Sequence, residues 1–255
     1  MISFVIPAHN EELHIGATVR AAGHAARAVG EVFEVIVVDD ASTDRTSEIA
    51  EGNGARILHV AYRQISATRN AGARAARGGI LFFVDADTLA NPDAVRAALD
   101  VLRRGAVGGG CVFRFDGVLP PWARLLYPVA VALARLLKLV GGCFLFCTRE
   151  AFESIGGFSE RYFAAEEAAF IRQLKRVGPF VVPKPPVITS GRKLRANSAR
   201  RIIGEAFRWM IAGPESYRRR EGLDLWYGER APDSERPDAP GPPSVEATPM
   251  DPPGS

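Results

Sequence analysis

The feature that most constrains this chain is an alternation of short apolar runs with longer alanine-rich stretches over roughly its first ninety residues. Continuous apolar runs of this length are typical of strands buried on both faces, and the stretches between them have the periodicity of helices. The runs are, in order, ISFVIP, FEVIVV, ARILHV and ILFFV. The pattern predicts an α/β fold with a mostly parallel sheet flanked by helices. Right-handed crossovers place the carboxyl ends of such strands at one edge, where ligands of open α/β sheets bind.

The chain of 255 residues is long enough for one α/β core, and we predict a single domain over residues 1–230. The strict alternation ends with a helical pattern at residues 92–104 and then becomes mixed, which divides the domain into a first and a second half. In the second half, GGGCVFRFDG predicts a strand, and helical patterns recur at residues 166–176 and 198–211. From Ala231 onwards, prolines accompany small and acidic residues. This composition cannot bury enough apolar surface to fold, so residues 231–255 are predicted to be a disordered tail.

The formal net charge of +3 is too small to argue for a nucleic-acid partner. Basic residues nevertheless gather in the last third of the chain. They are Arg192, Lys193, Arg195, Arg200, Arg201, Arg218, Arg219 and Arg220. Two interpretations stay open, a contact with a diphosphate or an anionic membrane surface, and a solvated helix face.

Cysteine usage indicates a reducing compartment. The three cysteines, Cys111, Cys143 and Cys147, include no C-x-x-C pair. The start of the chain, MISFVIPAHNEE, lacks the charged region that precedes the apolar run of a secretory leader. We therefore predict a cytoplasmic protein without disulfides.

One apolar segment, from Trp122 to Cys147, is similar in composition to a membrane helix. Arg124, Arg135 and Lys138 interrupt it. No uncharged run of about 18 residues remains, so a spanning helix is not predicted. Residues 122–140 predict either a helix that lies on a membrane surface or a helix packed on the core.

Polar and acidic residues follow three of the predicted strands. The set is Pro7, Ala8, Asn10 and Glu11 after the first strand, Asp39 and Asp40 after the second, and Asp85 and Asp87 after the fourth. Asn10 is also a favourable N-cap for the first helix, with Glu11 and Glu12 in its first turn, where the helix dipole favours negative charge. All of these residues are expected at the same edge of the sheet.

Asp85 and Asp87 belong to the sequence VDADT, in which residues i and i+2 point to the same side. Two hard oxygen ligands at that position suit Mg²⁺ or Mn²⁺. In the alternative interpretation, Asp87 only caps the following helix.

Asp39 follows four consecutive apolar residues, where a carboxylate is costly unless it meets hydrogen-bond donors. A nucleotide offers such donors in its base and ribose. Turn chemistry in DDASTD is the alternative, and it accounts for Ser42, Thr43 and Asp44 better than for Asp39.

Four motifs, taken together, resemble the family 2 glycosyltransferases of the GT-A fold, which is Rossmann-like. They are FVIPAHNEE, VIVVDDASTDRT, ATRNAGARAARGGILFFVDADT and GGFSERYFAAEE, and the similarity covers roughly residues 1–212. The resemblance implies that residues 1–104 form a nucleotide-sugar half and residues 105–230 an acceptor half. It also implies roles for single residues. The nucleotide would contact Pro7, Ala8, Asn10, Glu11, Asp39 and Asp40, with Arg69 near the base and ribose, and a divalent ion on the diphosphate would bind Asp85 and Asp87.

The fourth motif implies the catalytic carboxylates. The family usually has Glu-Asp after G-G-F-x-E, with the Asp as general base, and here Glu167 stands in its place. Glu166 is expected to orient the loop beside it. In the alternative interpretation, both residues form the charged first turn of a helix at residues 166–176.

Arg192, in the sequence SGRK, is our candidate for a second positive contact to the diphosphate, since a guanidinium binds phosphate oxygens in bidentate fashion. A solvated arginine is the alternative.

The resemblance implies an inverting glycosyltransferase that moves a sugar from a nucleotide-diphosphate sugar to an acceptor hydroxyl with the help of Mn²⁺ or Mg²⁺. The acceptor would be a saccharide or a lipid-linked molecule, and the enzyme would be cytoplasmic, with the inner face of the membrane as a further location. Two other hypotheses are a sugar-nucleotide or lipid-binding protein without turnover, and a phosphatase of the haloacid dehalogenase type, suggested by FFVDADT.

Overall fold

The computed structural model describes residues 1–136, 140–163, 165–198, 200 and 204. The described strands are β1 (Ile2–Ala8), β2 (Phe33–Asp40), β3 (Arg56–Val60), β4 (Ile80–Val84), β5 (Thr88–Leu89), β6 (Gly108–Gly110), β7 (Phe113–Phe115), β8 (Phe144–Thr148), β9 (Phe180–Val181) and β10 (Val187–Thr189). The described helices are α1 (Ile15–Ala28), α2 (Thr46–Gly52), α3 (Ile65–Ala75), α4 (Pro92–Arg103), α5 (Pro121–Leu136), α6 (Arg149–Ser154), α7 (Glu166–Val177) and α8 (Arg192–Ala196).

Seven strands form the main sheet in the order β3-β2-β1-β4-β8-β6-β9. The first four of these are parallel, β8 runs antiparallel to both of its neighbours, and β6 and β9 are parallel to each other. The prediction of a mostly parallel sheet flanked by helices is confirmed.

The core lies on both faces of this sheet, because β1, β2 and β4 contribute buried side chains to each face and β3 adds partly buried ones. On one face, Phe4 and Phe82 stack with ring centroids 5.0 Å apart. On the other face, Phe83 packs edge-on against Phe158, with centroids 4.9 Å apart. Aromatic pairs of this kind add to the free energy gained from apolar burial. The ends of the strands, and the loops that follow them, are held in place by this packing.

A second, three-stranded sheet has the order β5-β10-β7. β10 pairs antiparallel with β5, which starts one residue after Asp87, and parallel with β7. The short strands therefore bring the chain around residue 190 next to the loop that ends β4.

Two local expectations were wrong. Asn10 does not cap the first helix, because α1 begins only at Ile15 and Asn10 adopts a positive φ of 51° in the preceding loop. The stretch GGGCVFRFDG was interpreted as one strand, but it divides into β6 and β7, which belong to different sheets. A helical period and a capping residue do not show how many loop residues come before the first helical turn.

The described side chains of helix α5 include both buried and exposed apolar residues. Ala123 is buried and the hydroxyl of Tyr127 donates to the carbonyl of Phe113, whereas Leu125 and Val129 are 77% and 67% exposed. The helix is therefore attached to the domain and also presents apolar side chains to solvent. In the described part of the chain, no helix is both long and apolar enough to cross a bilayer.

Cys111, Cys143 and Cys147 are buried and free. The helix predicted at residues 198–211 lies almost wholly outside the described residues, and so do the tail at residues 231–255 and the basic residues Arg218, Arg219 and Arg220.

Candidate functional site

The loops that follow β1 and β2 are joined to each other by hydrogen bonds. The amide of Asn10 donates to Ser42 Oγ at 3.0 Å, and Asn10 Oδ1 accepts from the amide of Thr43 at 2.8 Å. The amide of Glu11 donates to Thr46 Oγ1 at 2.7 Å. These bonds fix the loop that continues from Pro7 and Ala8, the last residues of β1. The edge of the sheet therefore has a rigid rim at this point.

Asp39 ends β2 as a buried carboxylate, and the chain itself supplies its hydrogen-bond donors. Its oxygens accept from the amide of Ser42 at 3.0 Å and from the hydroxyl of Ser47. Burial opposes the charged form, but these hydrogen bonds outweigh it and lower the pKa of Asp39 below its ordinary value. The premise that Asp39 needs donors from a ligand was therefore wrong, and its nucleotide contact stays a prediction.

The hydrogen bonds of Asp40 connect β2 to the start of α3. Its carboxylate accepts from the amides of Arg63 at 2.7 Å and Gln64 at 3.1 Å, and from Thr68 Oγ1 at 2.9 Å. Gln64 and Thr68 lie at the start of α3, where backbone N–H groups lack acceptors within the helix. Asp40 therefore anchors α3 against the end of β2.

Arg69, on α3, is the largest fully buried side chain near this edge, with 1% exposure. Its guanidinium donates to Asp85 Oδ1 and Glu166 Oε1, both at 2.8 Å, and to the carbonyl of Gly142 at 3.0 Å. We call Arg69, Asp85 and Glu166 the inner cluster. Burial opposes the charge on Arg69, but the neighbouring carboxylates outweigh it and raise its pKa, so the guanidinium stays charged.

The residue after Arg69 connects α3 to the fourth sequence motif. Asn70 accepts from the amide of Phe158 and donates to its carbonyl, both at 2.9 Å. Arg69 also lies 5.2 Å from the centroid of the Phe158 ring. The R-N pair thus holds the G-G-F segment, which leads towards the start of α7.

Glu166 and Glu167 open α7, where the positive end of the helix dipole favours carboxylates. Glu166 is buried against Arg69, whereas Glu167 is partly exposed. Burial and the charge of Glu167 outweigh Arg69 and raise the pKa of Glu166 to about 8. A Cβ on Gly142 would lie 3.3 Å from Arg69 Nη2 and 3.4 Å from the Cβ of Glu167, so the loop before β8 lies close to both residues. Glu167 is thus the more accessible of the two carboxylates.

Arg192, the first residue of α8, pairs with two acids from other parts of the chain. Its Nη1 and Nη2 contact Glu11 Oε2 and Oε1 at 2.9 and 2.7 Å, and Nη2 is also 3.0 Å from Asp87 Oδ2. We call Arg192, Glu11 and Asp87 the outer cluster. Arg192 is 15% exposed. It is therefore not a freely solvated arginine.

Asp85 and Asp87 lie at the same edge, but each faces a different arginine. In the described part of the chain, no group of three or more His, Cys, Asp or Glu side chains is arranged as a metal cage. Mg²⁺ usually takes one or two carboxylates and completes its shell with water and substrate phosphate oxygens. The two aspartates fit that chemistry as donors, although they do not form a complete site by themselves.

The sequence motifs did not reveal the pairing of Arg192 with Glu11 and Asp87, or the contact of Gly142 with Arg69. Strands β5 and β10, which bring residue 190 to the Asp87 loop, have two and three residues. Such short strands have no recognisable period in the sequence. The basic residues after β10 were the available signal, but they did not identify the partners of Arg192.

Comparison with known proteins agrees with the resemblance noted in the sequence. The chain is 33% identical over 141 residues to undecaprenyl-phosphate 4-deoxy-4-formamido-L-arabinose transferase of Pseudomonas paraeruginosa, which covers 51% of this chain and 41% of that relative. The chain thus spans less than half the length of this curated relative.

Two solved structures share the fold. Glucosyl-3-phosphoglycerate synthase of Mycobacterium tuberculosis, crystallised with Mn²⁺, UDP and glucosyl-3-phosphoglycerate, superposes with a TM-score of 0.58 at 22% identity, over 83% of this chain and 77% of that one. Staphylococcus aureus TarS 1–349 in complex with UDP-GlcNAc superposes with a TM-score of 0.58 at 18% identity, over 75% of this chain and 58% of that one. The expected GT-A fold is thereby confirmed.

The model of glycosyl transferase family 2 matches residues 3–165, which hold β1 to β8, the Asp-x-Asp loop and the G-G-F segment. Because this match covers more than half of the sequence, the chain belongs to glycosyl transferase family 2.

Proposed function

We propose that the protein is an inverting glycosyltransferase that moves a sugar from a nucleotide-diphosphate sugar to an acceptor hydroxyl. The observation that carries this proposal is the meeting of Asp85, from the Asp-x-Asp loop, with Glu166 and Glu167, from the first turn of α7, around Arg69. Membership of the family and the UDP-containing structures that share the fold support it. The family match favours glycosyl transfer over the phosphatase hypothesis.

The nucleotide would lie on the rim formed by the loops after β1 and β2. Pro7, Ala8, Asn10 and Glu11 form one side of this rim and Asp39 the other. Because these loops are already joined by hydrogen bonds, little conformational entropy needs to be lost there on binding. Asp40 contributes by holding α3 in place, and Arg69 by orienting Asp85 and Glu166. Arg192 is our candidate for a contact with the diphosphate.

Asp85 and Asp87 would hold the divalent ion, Mn²⁺ or Mg²⁺. When bound, such an ion stabilises negative charge on the departing diphosphate as a Lewis acid. Arg69 pairs with Asp85 and would orient its carboxylate towards the ion. Asp87 pairs with Arg192 instead.

Glu167 would take the proton from the acceptor hydroxyl, a role that contributes about 10² to 10⁴-fold to the rate. Its partial exposure supports this role, because an acceptor must reach the base. Glu166 is engaged by Arg69 and would position the start of α7.

The acceptor would be a saccharide or a lipid-linked molecule. The Pseudomonas relative is named for an undecaprenyl-phosphate acceptor, and the exposed Leu125 and Val129 on α5 suit contact with a membrane surface. We propose a cytoplasmic enzyme that meets the inner face of the membrane through α5.

Calorimetric titration of UDP-sugars, with and without Mn²⁺, tests the donor and metal site. The wild type is expected to bind a donor more tightly with Mn²⁺, and Asp87→Ala to lose that gain. Asp93→Ala is a matched control, because Asp93 is an exposed aspartate in the first turn of α4. An undiminished gain in Asp87→Ala would refute the metal assignment. Donor binding without any sugar transfer to saccharide or lipid-phosphate acceptors would favour a binding protein instead.

A further inference from the structure

The outer cluster places a positive charge where the proposed metal would need to act. We propose that the guanidinium of Arg192, held between Glu11 and Asp87, competes with the divalent cation for Asp87, so that the nucleotide diphosphate must draw Arg192 away before the metal binds tightly. This inference rests on the proposed function. It adds an order of binding, with the nucleotide before the tightly bound metal, that the sequence motifs do not predict.

The geometry is that of a bridging cation. One nitrogen, Nη2 of Arg192, is 2.7 Å from Glu11 Oε1 and 3.0 Å from Asp87 Oδ2. One cationic nitrogen thus neutralises two carboxylates, and one of them, Asp87, would also hold the divalent ion. Arg192 and a divalent cation would therefore compete for Asp87.

Charge explains why Arg192 and a divalent cation would compete. Glu11 and Asp87 are little exposed, and a carboxylate out of water needs a positive partner. Arg192 provides that partner in the absence of ligands. A metal ion that approaches Asp87 must overcome repulsion from Arg192 or displace it, and either event weakens its binding.

The Arg192 side chain can leave while the backbone that carries it stays in position. The amide of Ser190 donates to the carbonyl of Asp87 at 3.2 Å, and the amide of Gly191 donates to Asp116 Oδ1 at 2.7 Å. These bonds tie the start of α8 to the Asp87 loop and to the end of β7. Rotation of the long Arg192 side chain therefore suffices to vacate the position.

A diphosphate provides a reason for the side chain to move. Its oxygens can accept two parallel hydrogen bonds from a guanidinium, and they also supply ligands to a divalent ion. The diphosphate thus favours Arg192 away from Asp87 and metal on Asp87 at the same time. Nucleotide and metal should consequently bind with positive coupling, and each should bind weakly without the other.

The test measures Mn²⁺ alone, UDP alone and both together, by calorimetry and by electron paramagnetic resonance of unbound Mn²⁺. In Arg192→Gln, Mn²⁺ alone should bind about fivefold or more tightly than in the wild type, because its internal competitor is gone. UDP alone should bind more weakly. The factor by which UDP improves Mn²⁺ affinity should fall accordingly.

Two further variants make the result specific. Arg195→Gln removes an arginine from the same helix that pairs with Asp116 instead, and it should leave Mn²⁺ affinity at the wild-type value. Arg192→Lys keeps the charge but loses the fork that bridges both carboxylates, so its affinity for Mn²⁺ alone should lie between those of the wild type and Arg192→Gln. The lysine variant also decides the question if Arg192→Gln does not fold.

Equal or weaker binding of Mn²⁺ alone in the Arg192 variants would overturn the inference and leave the proposed function intact. If Mn²⁺ and UDP bind the wild type independently of each other, the proposed metal site and the inference both fail. Tighter Mn²⁺ binding in Arg195→Gln as well would assign the effect to general charge, which also overturns it.

Discussion

The inner and outer clusters are built alike and differ in burial. In each, one arginine joins an aspartate of the Asp-x-Asp loop to a glutamate from another element. Arg69 is 1% exposed and reaches three acceptors, whereas Arg192 is 15% exposed at the start of a short helix. Removing one partner of a buried ion pair leaves a charge that water cannot reach. Burial thus makes the inner pairing part of the architecture and leaves the outer one exchangeable.

The largest difference is expected in stability. Arg69→Met should reduce the free energy of unfolding by about 3 to 5 kcal/mol, because it removes the buried cation and hydrogen-bond donor that Asp85, Glu166 and the carbonyl of Gly142 share. Arg192→Met should cost less, since Arg192 and Asp87 are each 15% exposed and water reaches them more readily than it reaches Arg69. Urea unfolding followed by circular dichroism measures both. Equal losses would mean that the two clusters do not differ in the way described.

A second test separates the two glutamates of α7. Glu167→Gln should lower the rate of sugar transfer by a factor of about 10² or more, since an amide cannot take a proton at neutral pH. The affinities for donor and metal should be retained. Single-turnover transfer with saturating donor measures the chemical step.

Glu166→Gln is the matched control, because it changes the neighbouring carboxylate in the same way and should slow transfer less. An inactive Glu166→Gln beside a fully active Glu167→Gln would exchange the two roles. Full activity of both variants would place the base elsewhere in the chain.

A further test concerns the dependence of stability on pH. Because burial raises the pKa of Glu166 to about 8 from its ordinary 4.5, the folded protein keeps a proton that the unfolded chain releases between these values. This contribution to stability is present below the lower value and is lost as pH rises through the higher one. Urea unfolding at pH values below 4.5, between 4.5 and about 8, and above about 8 should show this loss of stability in the wild type and not in Glu166→Gln. Parallel pH profiles would contradict it.

Much of the first half could be predicted from the sequence, because its strands are long and continuously apolar. β1, β2, β3 and β4 coincide with the four runs, and α4 matches the helix expected at residues 92–104. The second half was harder, since its strands are short and change direction. α7 was predicted, at residues 166–176, because its apolar period and its two opening acids are local signals.

The candidate site, like the fold, could be predicted from the sequence only in part. The strand ends and the fourth motif identified Asp39, Asp85, Glu166 and Glu167 without any structure. The partners of these acids could not be read in the sequence, because Arg69 and Glu166 are 97 positions apart and Glu11 and Arg192 are 181. Such pairs form only when the sheet order brings distant loops together. Family resemblance suggested that Arg69 lies near the base and ribose, and its contacts indicate a positioning role.

The reversed direction of β8 has a consequence for how this domain can diversify. Gly110 at the end of β6 pairs with Leu145, and Phe144 at the start of β8 pairs with Val84. The chain between β6 and β8, which includes α5, therefore leaves the sheet and returns to it at the same edge. Its two ends are anchored by the sheet, so residues can be inserted or removed between β7 and β8 without shifting a strand of the main sheet. The surface formed by this excursion can therefore change while β1 to β4 keep their register.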